Sequence, residues 1–129
     1  MSKIEVCVAT VDNDFSLIKK MNINCDICIA NQCNKNGIEI EDINGHKAKL
    51  ISTTTRGVGL NRNISLSLSS GDILMLADDD IVYHKGYERM IEQAFSIQPK
   101  ADVIVFRMQF VRQGEVFEVD NFKRKKLHV

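Results

Sequence analysis

No run of apolar residues in this chain approaches the ~18–20 that a helix needs to cross a bilayer. The opening segment, Met1-Ser2-Lys3-Ile4-Glu5, lacks the apolar stretch of a signal peptide because an acidic residue interrupts it early. An excess of charge is missing too. Seventeen basic residues balance seventeen acidic ones, so no overall field draws the chain to nucleic acid or to a membrane surface. Neither G-x-x-x-x-G-K-[ST] nor G-x-G-x-x-G occurs, which takes support from the P-loop and dinucleotide readings. The three histidines, His46, His84 and His128, are scattered and form no triad-like group. His84 lies four residues after Asp80 and reads as a surface or helix-start residue before it reads as a ligand. The expectation is a cytoplasmic protein whose 129 residues form a single domain.

Two local features stand against this neutral background. Cys25 and Cys28 have C-x-x-C spacing, but no second such pair and no H-x₃₋₅-H follows them. Asp26-Ile27-Cys28-Ile29-Ala30 also looks like a strand, in which positions three apart point to opposite faces. Reduced core or loop thiols, with Cys7 and Cys33, are therefore favoured over zinc. Lys123-Arg124-Lys125-Lys126 forms a basic run near the end of the chain. A solvated tail is the plain reading of it, and a peripheral contact with lipid headgroups is the alternative.

The most informative segment is Asp78-Asp79-Asp80, directly after Ile73-Leu74-Met75-Leu76-Ala77. Three adjacent carboxylates repel one another and cannot all be buried without a counter-charge. A strand that ends in them offers oxygen ligands at one edge of a sheet, and Mg²⁺ and Mn²⁺ prefer oxygen. A metal site that also holds a phosphorylated ligand is the chemistry this suggests.

Elsewhere the pattern alternates strand with helix. Ile4, Val6 and Val8 predict a strand ending near Ala9-Thr10. Asp12-Asn13-Asp14 offers helix caps before a helix over about 14–22. Asp26–Ala30 and Lys47–Thr53 read as strands, and Asn31–Gly45 as polar loop holding one short hairpin around Ile38 and Ile40. Leu60–Ser70 fits either period: Ile64, Leu66 and Leu68 alternate with serines, yet Leu60, Ile64 and Leu68 are four apart. Tyr87, Met90, Ile91, Ala94 and Phe95 mark an amphipathic helix that Pro99 ends. Asp102–Val111 reads as a strand, and Gln113-Gly114-Glu115 turns into a last one over Val116–Val119. The sum is an α/β layered domain with a mostly parallel sheet. Ligands bind such sheets beyond the carboxyl ends of the strands, where Thr10–Asp12, Asn31-Gln32 and Asp78–Asp80 would gather along one edge.

Gly57-Val58-Gly59-Leu60-Asn61-Arg62-Asn63, then Gly71-Asp72 and a strand closing on Asp78-Asp79-Asp80, resembles the nucleotide-sugar half of family 2 glycosyltransferases. That family has an Arg-Asn pair opening a helix, a Gly-Asp or Gly-Glu before the next strand, and a D-x-D at its end. Ala101-Asp102-Val103-Ile104 also resembles the segment after the family's D-x-D helix. The likeness spans roughly residues 4–110 and is most specific over 56–80. It implies a Rossmann-like, three-layer GT-A fold, and it settles 60–70 as helix.

The resemblance also implies roles. Asp78 and Asp80 become the metal-binding carboxylates, Asp80 as the direct ligand, with Asp79 nearer the sugar or ribose. The cofactor is Mn²⁺ or Mg²⁺, bridging to the diphosphate as a Lewis acid. Arg62, opening its helix, meets phosphate, and Arg56 is a weaker phosphate candidate. Thr10 and Asp12 contact the nucleobase or ribose. Asn31 stands where the family usually carries an acidic residue, and Asn31-Gln32 can still bond a base edge. The implied donor is a nucleotide-diphosphate sugar, a UDP-sugar first among them, and the acceptor a saccharide or a lipid-linked group. Family members are longer, and their additional C-terminal part carries the acceptor site and the general base that inverting transfer needs. Here only Glu115, Glu118 and Asp120 follow the fifth strand, in a hairpin with no matching motif, and solvation explains them better. The expectation is thus the donor-binding portion of an inverting enzyme with its acceptor part absent or truncated. An exposed sheet edge would then favour a homodimer. A non-catalytic nucleotide-sugar-binding module or inactive homologue is the alternative, and a purely structural Rossmann-like domain the third reading.

Overall fold

In the computed structural model, which describes residues 3–112 and 115–119, the chain divides into two compact units, 1–93 and 94–129. The first contains β1 (Ile4–Val11), α1 (Leu17–Lys20), β2 (Asp26–Gln32), β3 (Gly37–Ile43), β4 (His46–Thr53), α2 (Val58–Ser67) and β5 (Ile73–Asp78). Helix α3 (Tyr87–Ile97) begins in it and runs across the boundary. The sheet has the order β3-β4-β2-β1-β5. Its β4, β2, β1 and β5 run parallel, and β3 pairs antiparallel with β4. This is the expected α/β, GT-A-like architecture.

The two central strands are buried almost throughout, with Val6, Val8, Cys28 and Ile29 at 0% exposure, as parallel strands covered on both faces must be. Alternation along β1 and β2 sorts their side chains between two layers. Helix α2 packs on one face, where Gln32 of β2 reaches Asn61. On the opposite face the Cys25 thiol lies 3.2 Å from the Tyr87 hydroxyl of α3, and Tyr83 N–H donates to the Met21 carbonyl that follows α1. The thiols are all free and buried, and Cys25 and Cys28 serve opposite faces as their spacing predicted. Burial pushes Cys7 and Cys25 up to about 11 and Cys28 to about 12, so none of these three offers a thiolate at neutral pH.

Five elements differ from the sequence expectation. Helix α1 is four residues, not nine. Asp14 Oδ1 accepts the Ser16 N–H and holds the first residues in a turn. At the other end Asn22 takes the left-handed conformation (φ 59°), and Ile23 N–H donates back to the Ile18 carbonyl, a Schellman-type stop. The segment expected as loop carries β2 on to Gln32 and forms a full seven-residue strand, β3. Its hairpin turns on Asn44 (φ 52°) and Gly45 (φ 80°), the pair that a two-residue primed turn requires. Helix α2 begins at Val58, so Arg62 sits one turn inside it rather than opening it. The strand expected over Asp102–Val111 is confined to β6 (Met108–Arg112). Its antiparallel partner β7 (Glu115–Val119) pairs Val119 with Met108, so the ladder, as far as the described residues run, gives residues 102–107 no counterpart. The turn at Gln113-Gly114 and the basic run 123–126 lie outside the described residues. No helix among the described residues is long and apolar enough to cross a membrane.

One close approach fixes the link from α2 to β5. A Cβ at Gly71 would sit 2.8 Å from Glu5 Cβ, 3.1 Å from Glu5 N and 3.1 Å from Lys3 O. Backbone cannot yield as a flexible side-chain tip can. Gly71→Ala should therefore destabilise the protein by about 1–3 kcal/mol, read as a lower urea midpoint with an unchanged m-value.

Candidate functional site

The parallel strands β1, β2 and β5 end side by side, and the registers Ala9↔Asp78 and Thr10↔Asn31 put their last residues level. Because side chains alternate across a sheet, the aspartates divide. Asp78 pairs with Ala9 and turns to the α2 face, where its Oδ1 meets Arg62 Nη2 at 2.7 Å. Asp79 points the other way and accepts the Thr10 hydroxyl on Oδ2 at 2.7 Å. Asp80, in the turn beyond β5, is exposed.

The Arg62–Asp78 pair is open to solvent, with the side chains 46% and 62% exposed. Such a pair contributes little to stability, about 0–1 kcal/mol. Its value is positional: it brings a guanidinium from α2 to the end of β5. Only one nitrogen is used, and the rest of the planar fork stays available to a second anion.

The start of α2 is set by β2. Gln32 Oε1 accepts the N–H of Gly57 and the Nδ2 of Asn61 (3.2 and 3.3 Å), and Gly57 at φ 119° supplies the backbone bend. The carbonyl oxygen of Gln32 is thus committed to the helix. Asn31 is buried at 4% exposure. Its Oδ1 accepts Asn13 N–H at 2.9 Å, and its Nδ2 lies 3.5 Å from Ser52 Oγ. Asp12 extends β1 by one more bond, donating its N–H to the Gln32 carbonyl, and does so at φ 49°. A short polar side chain tolerates that left-handed conformation. Arg56 is exposed in the link between β4 and α2.

The structure therefore brings these residues to one edge, Thr10, Asn31 and Asp79 on one face of the sheet and Gln32, Arg62 and Asp78 on the α2 face, with Asp12 and Asp80 beside them. Asn13 belongs to the same set, although the sequence suggested it only as a helix cap. Among the described residues no three His, Cys, Asp or Glu side chains are grouped to hold a metal ion by themselves. Two carboxylates at a strand end nonetheless suit Mg²⁺ and Mn²⁺. These ions are held by one or two carboxylates together with waters and substrate phosphates, not by an all-protein cage.

Carboxylates and a guanidinium stand together at the carboxyl ends of parallel strands, the edge at which α/β sheets bind their ligands. The chain belongs to glycosyl transferase family 2, whose model matches residues 7–125. Glycosyl transfer is the chemistry of that family. No curated protein and no solved structure gives a significant match to the chain.

Proposed function

We propose that this domain binds a nucleotide-diphosphate sugar, a UDP-sugar first among the candidates, and passes the sugar with inversion to a hydroxyl of a saccharide or lipid-linked acceptor. The observation that carries this reading is the convergence of three strand ends on Thr10, Gln32 and Asp78–Asp80, with Arg62 drawn in from α2. Asp78 and Asp80 are the residues that would hold Mn²⁺ or Mg²⁺, which when bound supplies Lewis-acid stabilisation of the departing diphosphate. Arg62, with Arg56 further out, provides positive charge for the phosphates. Asp79 keeps one oxygen for a ribose or sugar hydroxyl while Thr10 occupies the other. Asp12, Asn31 and Gln32 lie along the part of the edge left for nucleobase and ribose.

Calorimetric titration with UDP should give saturable binding in the presence of Mn²⁺ or Mg²⁺ and none in EDTA. Equal binding in both conditions would remove the metal from the proposal. The alternative, a module that binds a donor without transferring it, is separated by incubating the protein with nucleotide sugars and acceptors. Transferred sugar supports the enzyme, and binding without turnover supports the module.

A further inference from the structure

We infer that Asn13 is a positioning residue for the donor site, acting through Thr10 on Asp79; this rests on the reading of that edge as the donor site. Three hydrogen bonds form an unbroken chain from one strand to another. Asn31 Oδ1, on β2, accepts Asn13 N–H at 2.9 Å. Asn13 Nδ2 donates to Thr10 Oγ1 at 2.7 Å. Thr10 Oγ1, on β1, donates to Asp79 Oδ2 at 2.7 Å, immediately after β5.

Proton counting gives the chain a direction. A threonine hydroxyl has one proton to donate, and an ionised carboxylate can only accept. The 2.7 Å contact with Asp79 therefore uses Thr10's proton. The second 2.7 Å contact must then be a donation to Thr10, which places the amide NH₂ of Asn13, and not its oxygen, against Oγ1. Thr10 is 4% exposed, so no water competes freely for the hydroxyl. With Asn13 donating from one side, the Thr10 proton is held on Asp79, and Asp79 is held with Oδ1 as its remaining acceptor. The position of Asn13 is itself forced. The left-handed turn at Asp12 directs the chain back across the strand ends, and the buried Asn31 oxygen captures the next N–H.

An acceptor-only residue at 13 reverses the logic. In Asn13→Asp the side chain has the same shape but competes with Asp79 for the Thr10 proton, while the backbone bond to Asn31 is kept. Asn13→Ala removes the donor without adding an acceptor. Two measurements test the inference. In the free protein, NMR should show the Thr10 hydroxyl proton as a slowly exchanging signal with a cross-peak to the Asn13 side-chain amide, and that signal should be lost in Asn13→Asp. In calorimetry with UDP and Mn²⁺, Asn13→Asp should weaken binding roughly tenfold, and Asn13→Ala by less, as expected for one hydrogen bond to an aligned charged acceptor. In a Thr10→Val background Asn13→Ala should have no further effect, because the relay is already cut. Wild-type affinity in Asn13→Asp, or full additivity of Thr10→Val and Asn13→Ala, overturns the inference. A wild-type protein that binds no UDP overturns the donor-site reading instead. The hydroxyl signal then still decides whether Asn13 directs Thr10.

Discussion

Asp80→Ala should lower the Mn²⁺-dependent affinity for UDP by roughly a hundredfold and leave the fold intact. Losing a group that merely orients a metal ligand already costs about ten- to hundredfold, and on the proposed reading Asp80 is a ligand itself. On that reading the protein supplies two carboxylates, Asp78 and Asp80, so this substitution halves its donor set. Stability should hardly move. Asp80 is exposed in the turn after β5, where substitutions typically shift stability by no more than about 0.5 kcal/mol. That separation makes the result readable: affinity falls in calorimetry while the thermal midpoint stays put. Asp78→Ala should lose less affinity, since it also releases Arg62 from its 2.7 Å ion pair and returns a whole guanidinium to the phosphates. Unchanged UDP affinity in Asp80→Ala would remove that residue from the metal site.

The strand ends were legible because two rules act there independently. Apolar runs in β1, β2 and β5 mark parallel strands, fully covered in β1 and β2 and half-exposed at the sheet edge in β5, and polar residues directly after such runs mark the ligand edge. Helix α2 resisted periodicity for a physical reason. Its buried stripe is polar, Asn61 at 2% and Ser65 at 0% exposure, while Leu60 and Leu68 are 55% and 44% exposed. Hydropathy follows transfer energy, and here the inner face is held by hydrogen bonds: Asn61 to Gln32, and Ser65 to the Arg62 carbonyl. Only the resemblance assigned this segment correctly. Strand β3 carried a readable signal, Asn44-Gly45 between alternating residues. Its Ile38 and Ile40 remain 64% and 58% exposed on the sheet edge, and the surrounding polarity outweighed the turn. Asn13 could not have been found by spacing. Its part in the site comes from a backbone bend at Asp12 and a proton-donor order, and neither is written in periodicity.

Lys49→Met should cost about 3–5 kcal/mol, the typical loss when one partner of a buried ion pair is removed. Lys49 Nζ lies 3.6 Å from Glu5 Oε2, with the side chains only 10% and 1% exposed. Around this pair the turn between α2 and β5 is tied down. Glu5 Oε1 accepts the N–H groups of Ser70 and Gly71 at 2.6 and 2.9 Å, and Lys49 Nζ donates to the Leu68 carbonyl and to Ser70 Oγ at 2.8 and 3.3 Å. Removing the ammonium leaves a carboxylate in the core with no counter-charge and leaves the Leu68 carbonyl short of a partner. For a domain whose whole stability is about 5–15 kcal/mol, the thermal midpoint should fall by roughly 10–20 °C. Adding Glu5→Gln should restore most of the loss, because the amide oxygen can still accept from Ser70 and Gly71 while no charge remains buried. Thermal and urea unfolding of the two single variants and the double variant measure the coupling, and additive losses would show that the pair acts as two independent groups. The same turn joins the helix that carries Arg62 to the strand that ends in Asp78. Lys49→Met should therefore also weaken UDP binding at temperatures where it remains folded, and the Glu5→Gln companion should restore binding along with stability.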